Sequence, residues 1–312
     1  MLLAPFVLLA TGAGFLWAVN LVGNKTLLEG SHSSTDITVV GGIGGIVLAL
    51  LIPVVWVVSP AIATYPIPSA TVVVVSLVAG LIYIPSTHLY NLALDREEAS
   101  RVAPLIETAP LFTFVVGILV LGEVLSTRNL VGILLVVIGA MLVSPGDSCA
   151  RGTCTGNLRF RLGRAFWLVV LGSSLYAVFA VLTRVAIQQG GDLWWVYFWS
   201  RIGGVVPVAV LTRDNDVLER TLDGGMRSRE TYLLGGNELI GKLGLVLITA
   251  AFGLGPAALV DAVSATSPMF VMFMVLGLDA VGILDEDVSP RVLVAKTAAA
   301  GLIVGGVFLI SV

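Results

Sequence analysis

Glu107 stands between Pro104 and Pro110 in a stretch that is otherwise largely apolar. Proline removes a helix hydrogen bond and frees a carbonyl, so this segment should bend where it carries its carboxylate. A carboxylate held there can take up and release a proton, unless it serves as a structural partner for Arg101. Asp261, near the start of another apolar stretch, offers the same chemistry, or else caps the helix that begins there. Arg201 follows the aromatic run Trp194-Trp195-Val196-Tyr197-Phe198-Trp199. A guanidinium beneath rings can fork onto a carboxylate or phosphate while the rings line a pocket. The same residues would also suit an interfacial aromatic belt with a snorkelling arginine. Glu238 and Lys242 are four apart, the spacing of a simple pair along one helix. Lys25, Arg184 and Lys296 lie near the ends of apolar stretches, where long basic side chains can snorkel outward. The candidate binding residues are therefore Arg201, Glu107, Asn20, Trp17, Tyr176, Trp199, Asn91 and Asn237, with Glu107 and Asp261 as candidate proton carriers. His88 suits an interior hydrogen bond.

Other chemistries lack their residues. Cys149 and Cys154 form a C-x4-C pair with no further ligands nearby, which is too few for a metal. The two histidines, His32 and His88, are far apart, and Asp285-Glu286-Asp287 has no histidine beside it. Gly12-Ala13-Gly14 has no preceding strand and no Gly-Lys-Ser/Thr, so it is not a nucleotide loop. No metal and no cofactor is expected. A net charge of -3 excludes the polybasic surface that nucleic acid would need.

These groups must be positioned by elements that live in lipid. Of 312 residues 57% are hydrophobic and 12% charged, where a soluble domain carries about 25% charged residues. Mean hydropathy is +1.01. Apolar stretches fall at 4–24, 37–58, 70–91, 100–121, 127–144, 165–187, 194–212, 235–253, 258–281 and 291–311. They are apolar all round and do not alternate, which argues for helices and against a β-barrel. With about 20 residues per span, ten spans leave only short connections and no room for a soluble domain. The expected class is an all-α, multi-pass protein of the cell membrane. The start lacks a basic region, so the first stretch reads as an uncleaved span.

The chain also repeats itself. Leu16-Trp17-Ala18-Val19 aligns with Leu175-Tyr176-Ala177-Val178 at an offset of 159, which also places Lys25 on Arg184. Thr108-Ala109-Pro110-Leu111-Phe112 aligns with Thr266-Ser267-Pro268-Met269-Phe270 at an offset of 158, and Glu123 with Glu286 at 163. Gly139 to Ser144 meets Gly306 to Ser311 at 167. Offsets that drift only across loops predict two units, 1–146 and 165–312, joined by a loop at 147–164. Each holds five spans. An odd number inverts the second unit in the membrane, an arrangement of secondary transporters whose site lies between the repeats. The glycines at 41, 42, 44, 45, 203, 204, 301, 305 and 306 are expected to form close packing faces.

The residues also resemble a known family. Ala93-Leu94 with Ala99 and Pro110-Leu111-Phe112, then Leu121-Gly122-Glu123-x-Leu125-Ser126 and the glycine-rich run to Ser144, resemble an EamA-type member of the drug/metabolite transporter superfamily. The resemblance implies ten helices and a basic residue closing the first span, here Lys25. It also implies an arginine early in the second span of a repeat, which Arg201 supplies and Gly42 does not.

The function expected is secondary transport, export above all, of a small polar metabolite such as an amino acid, by alternating access. Partners are the substrate, the lipid bilayer and a proton or other coupling ion; a homodimer is left open. A nucleotide-sugar or phosphorylated-sugar exchanger would need more cations than Arg201 and Lys25. An intramembrane transferase would need clustered Asp or His, so no enzyme is expected. Nearly all basic residues outside the spans, among them Arg96, Arg101, Arg159, Arg213 and Arg229, fall in the 1–2, 3–4, 5–6, 7–8 and 9–10 connections. The positive-inside rule then puts those connections in the cytoplasm and both termini outside, opposite to the usual drawing of ten-helix relatives.

Overall fold

The computed structural model describes residues 4–28, 33–58, 67–96, 102, 105–143, 164–213, 229–280 and 290–311. Among the described residues there is no strand. The helices are α1 (Pro5–Leu28), α2 (Ser34–Val58), α3 (Ala70–Arg96), α4 (Ala109–Leu121), α5 (Thr127–Val143) and α6 (Arg164–Gln188). They continue as α7 (Leu193–Gly203), α8 (Val205–Arg213), α9 (Arg229–Leu254), α10 (Ala257–Ser264), α11 (Ser267–Ala280) and α12 (Pro290–Ser311). Among the described residues, seven stretches are long and apolar enough to cross a membrane: Pro5–Asn24, Ser34–Val55, Ala70–Arg96, Arg164–Gln188, Leu193–Arg213, Tyr232–Leu254 and Ala257–Met274. Three shorter apolar helices, Ala109–Leu121, Thr127–Leu142 and Thr297–Ser311, accompany them. Cys149, Cys154, His32, Arg101 and Asp285 to Asp287 lie outside the described residues, as do the side chains of Lys25, Lys296 and Asp279.

Three apolar stretches are interrupted. The fourth turns at Glu107-Thr108 just before α4, the seventh at Gly204 between α7 and α8, and the ninth at Ala265-Thr266 between α10 and α11. The first and third interruptions are 158 residues apart, the offset at which Thr108 to Phe112 matches Thr266 to Phe270. Each is followed by a proline in the next helix's first turn, Pro110 or Pro268, where the missing N–H costs nothing.

Packing follows a regular exchange. The most extensive interfaces join α3 to α6, α5 to α12, and α1 to α9. Within α1 and α9 the pairing is antiparallel: Phe6 meets Gly255, whereas Trp17 meets Gly244. α3 runs against α6 likewise, with Val72 packed near Ala186 and Ser86 Oγ donating to Gly172 O at 2.9 Å. One end of the bundle therefore holds the starts of α1 and α3 and the ends of α6 and α9. The other holds the ends of α1 and α3 and the starts of α2, α6 and α9.

In lipid, helices associate through close contact and hydrogen bonds, because surrounding tails are as apolar as their side chains. Leu119, Val206 and Phe308 accordingly face outward, while Phe179, Phe252 and Ile248 are fully buried. The tightest approach is α3 on α7. A Cβ on Gly80 would sit 1.6 Å from the carbonyl oxygen of Ser200, and one on Gly203 would sit 2.0 Å from that of Leu77. Gly306 meets Gly132 O at 2.6 Å in the same sense, between α12 and α5. Among the described residues nothing lies near enough to Gly44, Gly301 and Gly305 to meet a Cβ, so the close packing faces expected there are not formed by those residues. Gly80→Ala must force two backbones apart and is expected to destabilise the protein by about 1–3 kcal/mol. Gly44→Ala should stay within about 0.5 kcal/mol of the parent. Melting of the purified variants in detergent checks both, and equal stability of the two would refute the contact.

Candidate functional site

A cavity of about 240 Å³ lies between the helices, in the half of the bundle nearer the ends of α1 and α3. α1 contributes Trp17, Asn20 and Asn24, α2 Thr38 and Gly41, and α3 Tyr83, Thr87, Tyr90 and Asn91. The two interrupted stretches bring Glu107 and Asp261 to the same space, α6 adds Ser173 and Tyr176, and α9 adds Glu238 and Lys242. Five of the candidate binding residues thus meet here: Trp17, Asn20, Asn91, Glu107 and Tyr176. Both candidate proton carriers are among the lining residues as well.

Hydrogen bonds fix the polar wall. Trp17 Nε1 donates to Gly241 O at 3.3 Å, and Asn20 Nδ2 donates to Asn237 O at 2.8 Å. Asn237 Nδ2 returns bonds to Asn20 O at 3.1 Å and Asn24 Oδ1 at 2.8 Å, so Asn237 ties α9 to α1 behind the cavity wall and is not one of its lining residues. On α2 and α3, Asn91 Nδ2 donates to Thr38 Oγ1 at 2.9 Å, and His88 Nδ1 lies 3.4 Å from the same hydroxyl. Lys242 Nζ pairs with Glu238 Oε2 at 3.2 Å, both groups being buried, which is the intrahelical pair the spacing suggested.

Asp261 does not cap a helix. It sits within α10, only 2% exposed, and its Oδ2 accepts a hydrogen bond from Thr113 of α4. The cap position of that helix is Pro256. Tyr176 and Asp261 face each other, and the second oxygen of Asp261 and the Tyr176 hydroxyl, both buried, have no further partner among the described residues.

Arg201 is placed differently from the sequence expectation of a cavity-facing group. It is 3% exposed and is not a lining residue; its guanidinium stacks on Tyr83 at 4.5 Å, with Tyr197 at 5.5 Å and Phe179 at 6.0 Å. Tyr83 stands between it and the cavity. Trp199 packs on Phe198 with ring centroids 5.0 Å apart and does not line the cavity either. Sequence reasoning passed over Tyr83, Thr87, Tyr90 and Thr113. Tyr83, Thr87, Tyr90 and Asn91 form a polar stripe at helical spacing in an otherwise apolar helix, a signal available in the sequence.

Arg184 does not snorkel. Its Nε donates to Glu123 Oε1 at 2.7 Å and its Nη1 to Phe252 O at 2.6 Å, at the end of the bundle away from the cavity. Gly122 makes this possible: its left-handed backbone, φ 63°, ends α4 and turns the chain so that Glu123 folds back under the helix. Glu123 Oε1 also accepts from the amide of Ala257, 3.4 Å away at the start of α10.

With this geometry in place, likeness to known proteins can be weighed. Residues 4–144 match the EamA-like transporter family. That family belongs to the drug/metabolite transporter superfamily, so the resemblance drawn from the sequence holds over this segment, which lies inside the first predicted repeat. The EamA-like match and the apolar helices make the chain a multi-pass membrane protein. A solved crystal structure of another protein, 16% identical, superposes with a TM-score of 0.67 over 99% of this chain and 96% of that one. At that identity the likeness concerns the fold. No curated protein matches the chain.

Proposed function

We propose that this EamA-like chain is a secondary active transporter of the cell membrane, an exporter of small polar metabolites such as amino acids. It crosses the membrane ten times, as two inverted five-helix halves, 1–146 and 165–312, that rock about the cavity between them. The observation carrying this reading is the pair of interrupted helices. Breaks at Glu107-Thr108 and Ala265-Thr266 fall at matching places in the two halves, and each brings a carboxylate-bearing segment to one cavity. Discontinuous helices at corresponding positions are the usual pointer to a transporter's binding site. The packing supports it too: α1 against α9 and α6 against α3 exchange places when the halves are swapped, while α5 and α12 pair across the axis.

Alternating access needs one end closed while the other admits substrate. The Glu123–Arg184 pair ties α4, α6, α9 and α10 together at the end opposite the cavity, which suits the closed side. The positive-inside asymmetry then turns the cavity toward the cytoplasm, as loading an exporter requires. Glu107 and Asp261 are the groups to carry the coupling proton. A phosphorylated-sugar exchanger is less suited, since Glu107 and Asp261 line the same cavity and would face the added negative charge.

The test is uptake of radiolabelled amino acids and nucleotide sugars into proteoliposomes, with and without a pH gradient. Gradient-stimulated uptake of an amino acid is expected, and no gradient-dependent uptake of any compound would defeat the proposal. An impermeant maleimide on intact cells checks the orientation: it should spare the reduced thiols of Cys149 and Cys154 in the 5–6 connection.

A further inference from the structure

We infer that the cavity reads its substrate as a zwitterion, with the carboxylate of an amino acid held at Lys242 and its ammonium held at Asp261 and Glu107. This deepens the transporter reading and rests on it. The charged groups around the cavity fall into two sets of opposite sign. In the first, Arg201 and Lys242 converge over Gly45, where a Cβ would lie 3.3 Å from Arg201 Cδ and 3.5 Å from Lys242 Cε. Glu238 answers one of these cations through its 3.2 Å pair with Lys242. Arg201 has no carboxylate within ion-pair distance among the described residues; aromatic faces hold it, Tyr83 nearest at 4.5 Å. Arg201, Lys242 and Glu238 together carry one net positive charge, and Lys242 is the cation of the set that reaches the cavity.

The second set is Glu107 and Asp261, which line the same cavity and have no cation paired to either among the described residues. Thr113 satisfies one oxygen of Asp261, and the other faces the Tyr176 hydroxyl. Lys242, Glu107 and Asp261 all line the one cavity of about 240 Å³. Buried charges without partners are costly, and a ligand that carries both signs relieves both sets together. A phosphorylated sugar would answer only the cations and bring more negative charge to the two carboxylates. A simple amine would answer only the carboxylates. Gly41 lets the Glu238–Lys242 pair pack close against α2: a Cβ there would lie 2.1 Å from Glu238 Oε2 and 3.2 Å from Lys242 Nζ.

The experiment uses the purified full-length protein and two matched series. Leucine is compared with isoamylamine, which lacks the carboxylate, and with isocaproate, which lacks the amine; phenylalanine is compared with phenethylamine and phenylpropionate. Binding is read as the concentration dependence of the melting temperature, and transport as uptake into proteoliposomes. Each amino acid should bind at least about tenfold more tightly than both of its counterparts, because a missing group leaves a buried charge unanswered. Asp261→Asn should shrink the preference over the acid, and Lys242→Met the preference over the amine. Because Lys242→Met strands Glu238, the doubly neutral Glu238→Gln/Lys242→Met variant is measured beside it and should show the same change. An amine or acid that equals its amino acid, binding of none of the six, or selectivity unchanged in folded variants would overturn the inference. Zwitterion-selective binding without uptake would leave it standing and defeat the transport reading. Uptake without that selectivity would do the reverse.

Discussion

Arg184→Ala is expected to cost the folded protein about 3–5 kcal/mol, the loss typical when one partner of a buried ion pair is removed. The side chains of Arg184 and Glu123 are 15% and 11% exposed, so water can only partly take the place of the missing guanidinium. Glu123 Oε2 has no hydrogen-bond partner among the described residues even in the intact pair, and the substitution strips the cation from Oε1 as well. The carbonyl of Phe252 loses its donor in the same step. Glu123→Gln should be milder, because an amide oxygen can still accept from Arg184 and from Ala257. Removing both charges in Glu123→Gln/Arg184→Ala should recover part of the loss, since no buried charge is then left alone. Equilibrium unfolding of the four proteins in detergent gives the coupling energy directly. A snorkelling arginine would lose little on truncation, so a stability within about 0.5 kcal/mol of the parent would mean that Arg184 is solvated at the membrane surface.

That pair marks a boundary of what the sequence discloses. Arg184 and Glu123 were both in view, one as a residue near a span end and the other inside the Leu121-Gly122-Glu123 motif. Nothing in local pattern says that residues 61 apart will meet, because periodicity gives the face of a helix and not its neighbour. Helix positions were more legible: the apolar stretch read as 127–144 is a helix at Thr127–Val143, and that read as 165–187 is one at Arg164–Gln188. The break beside Glu107 followed from its flanking prolines, and the break at Gly204 is likewise followed by a proline, Pro207, in the first turn of α8, a signal the sequence reading left unused. Arg201 illustrates the opposite difficulty. Its position in an apolar stretch called attention to it, yet a guanidinium can be stabilised by ring faces as well as by a substrate. Lys242 was set aside because Glu238 explained it locally. Only the third dimension brings Arg201 to its side over Gly45 and makes that explanation insufficient. For Asp261 the sequence allows a proton carrier or a helix cap; the helix begins at Ala257 and carries it a full turn inward, which removes the cap.

Glu107→Gln should abolish the response of transport to a pH gradient while leaving exchange of substrate across the membrane in place. Glutamine has nearly the shape of glutamate and fits the same turn between Pro104 and α4, but it cannot release or bind a proton in the working range. If Glu107 carries the coupling proton, each cycle of the wild-type protein must load a proton on one side and discharge it on the other. For an exporter working as an antiporter, vesicles acidic inside should accelerate uptake, because protons leave as substrate enters. Vesicles alkaline inside should slow it. In Glu107→Gln both gradients are expected to give the rate seen at equal pH, a fall in the driven component of roughly 100-fold or more, in keeping with a proton-transfer group removed. Counterflow of labelled against unlabelled substrate at equal pH should persist, since it needs binding and rocking but no net proton movement. Asp261→Asn provides the comparison on the other interrupted helix. If one variant loses the gradient response and the other keeps it, the proton is carried on one half of the molecule only. A Glu107→Gln protein that still accelerates in acid-inside vesicles would remove Glu107 from the coupling path and leave it as a binding group for the substrate ammonium.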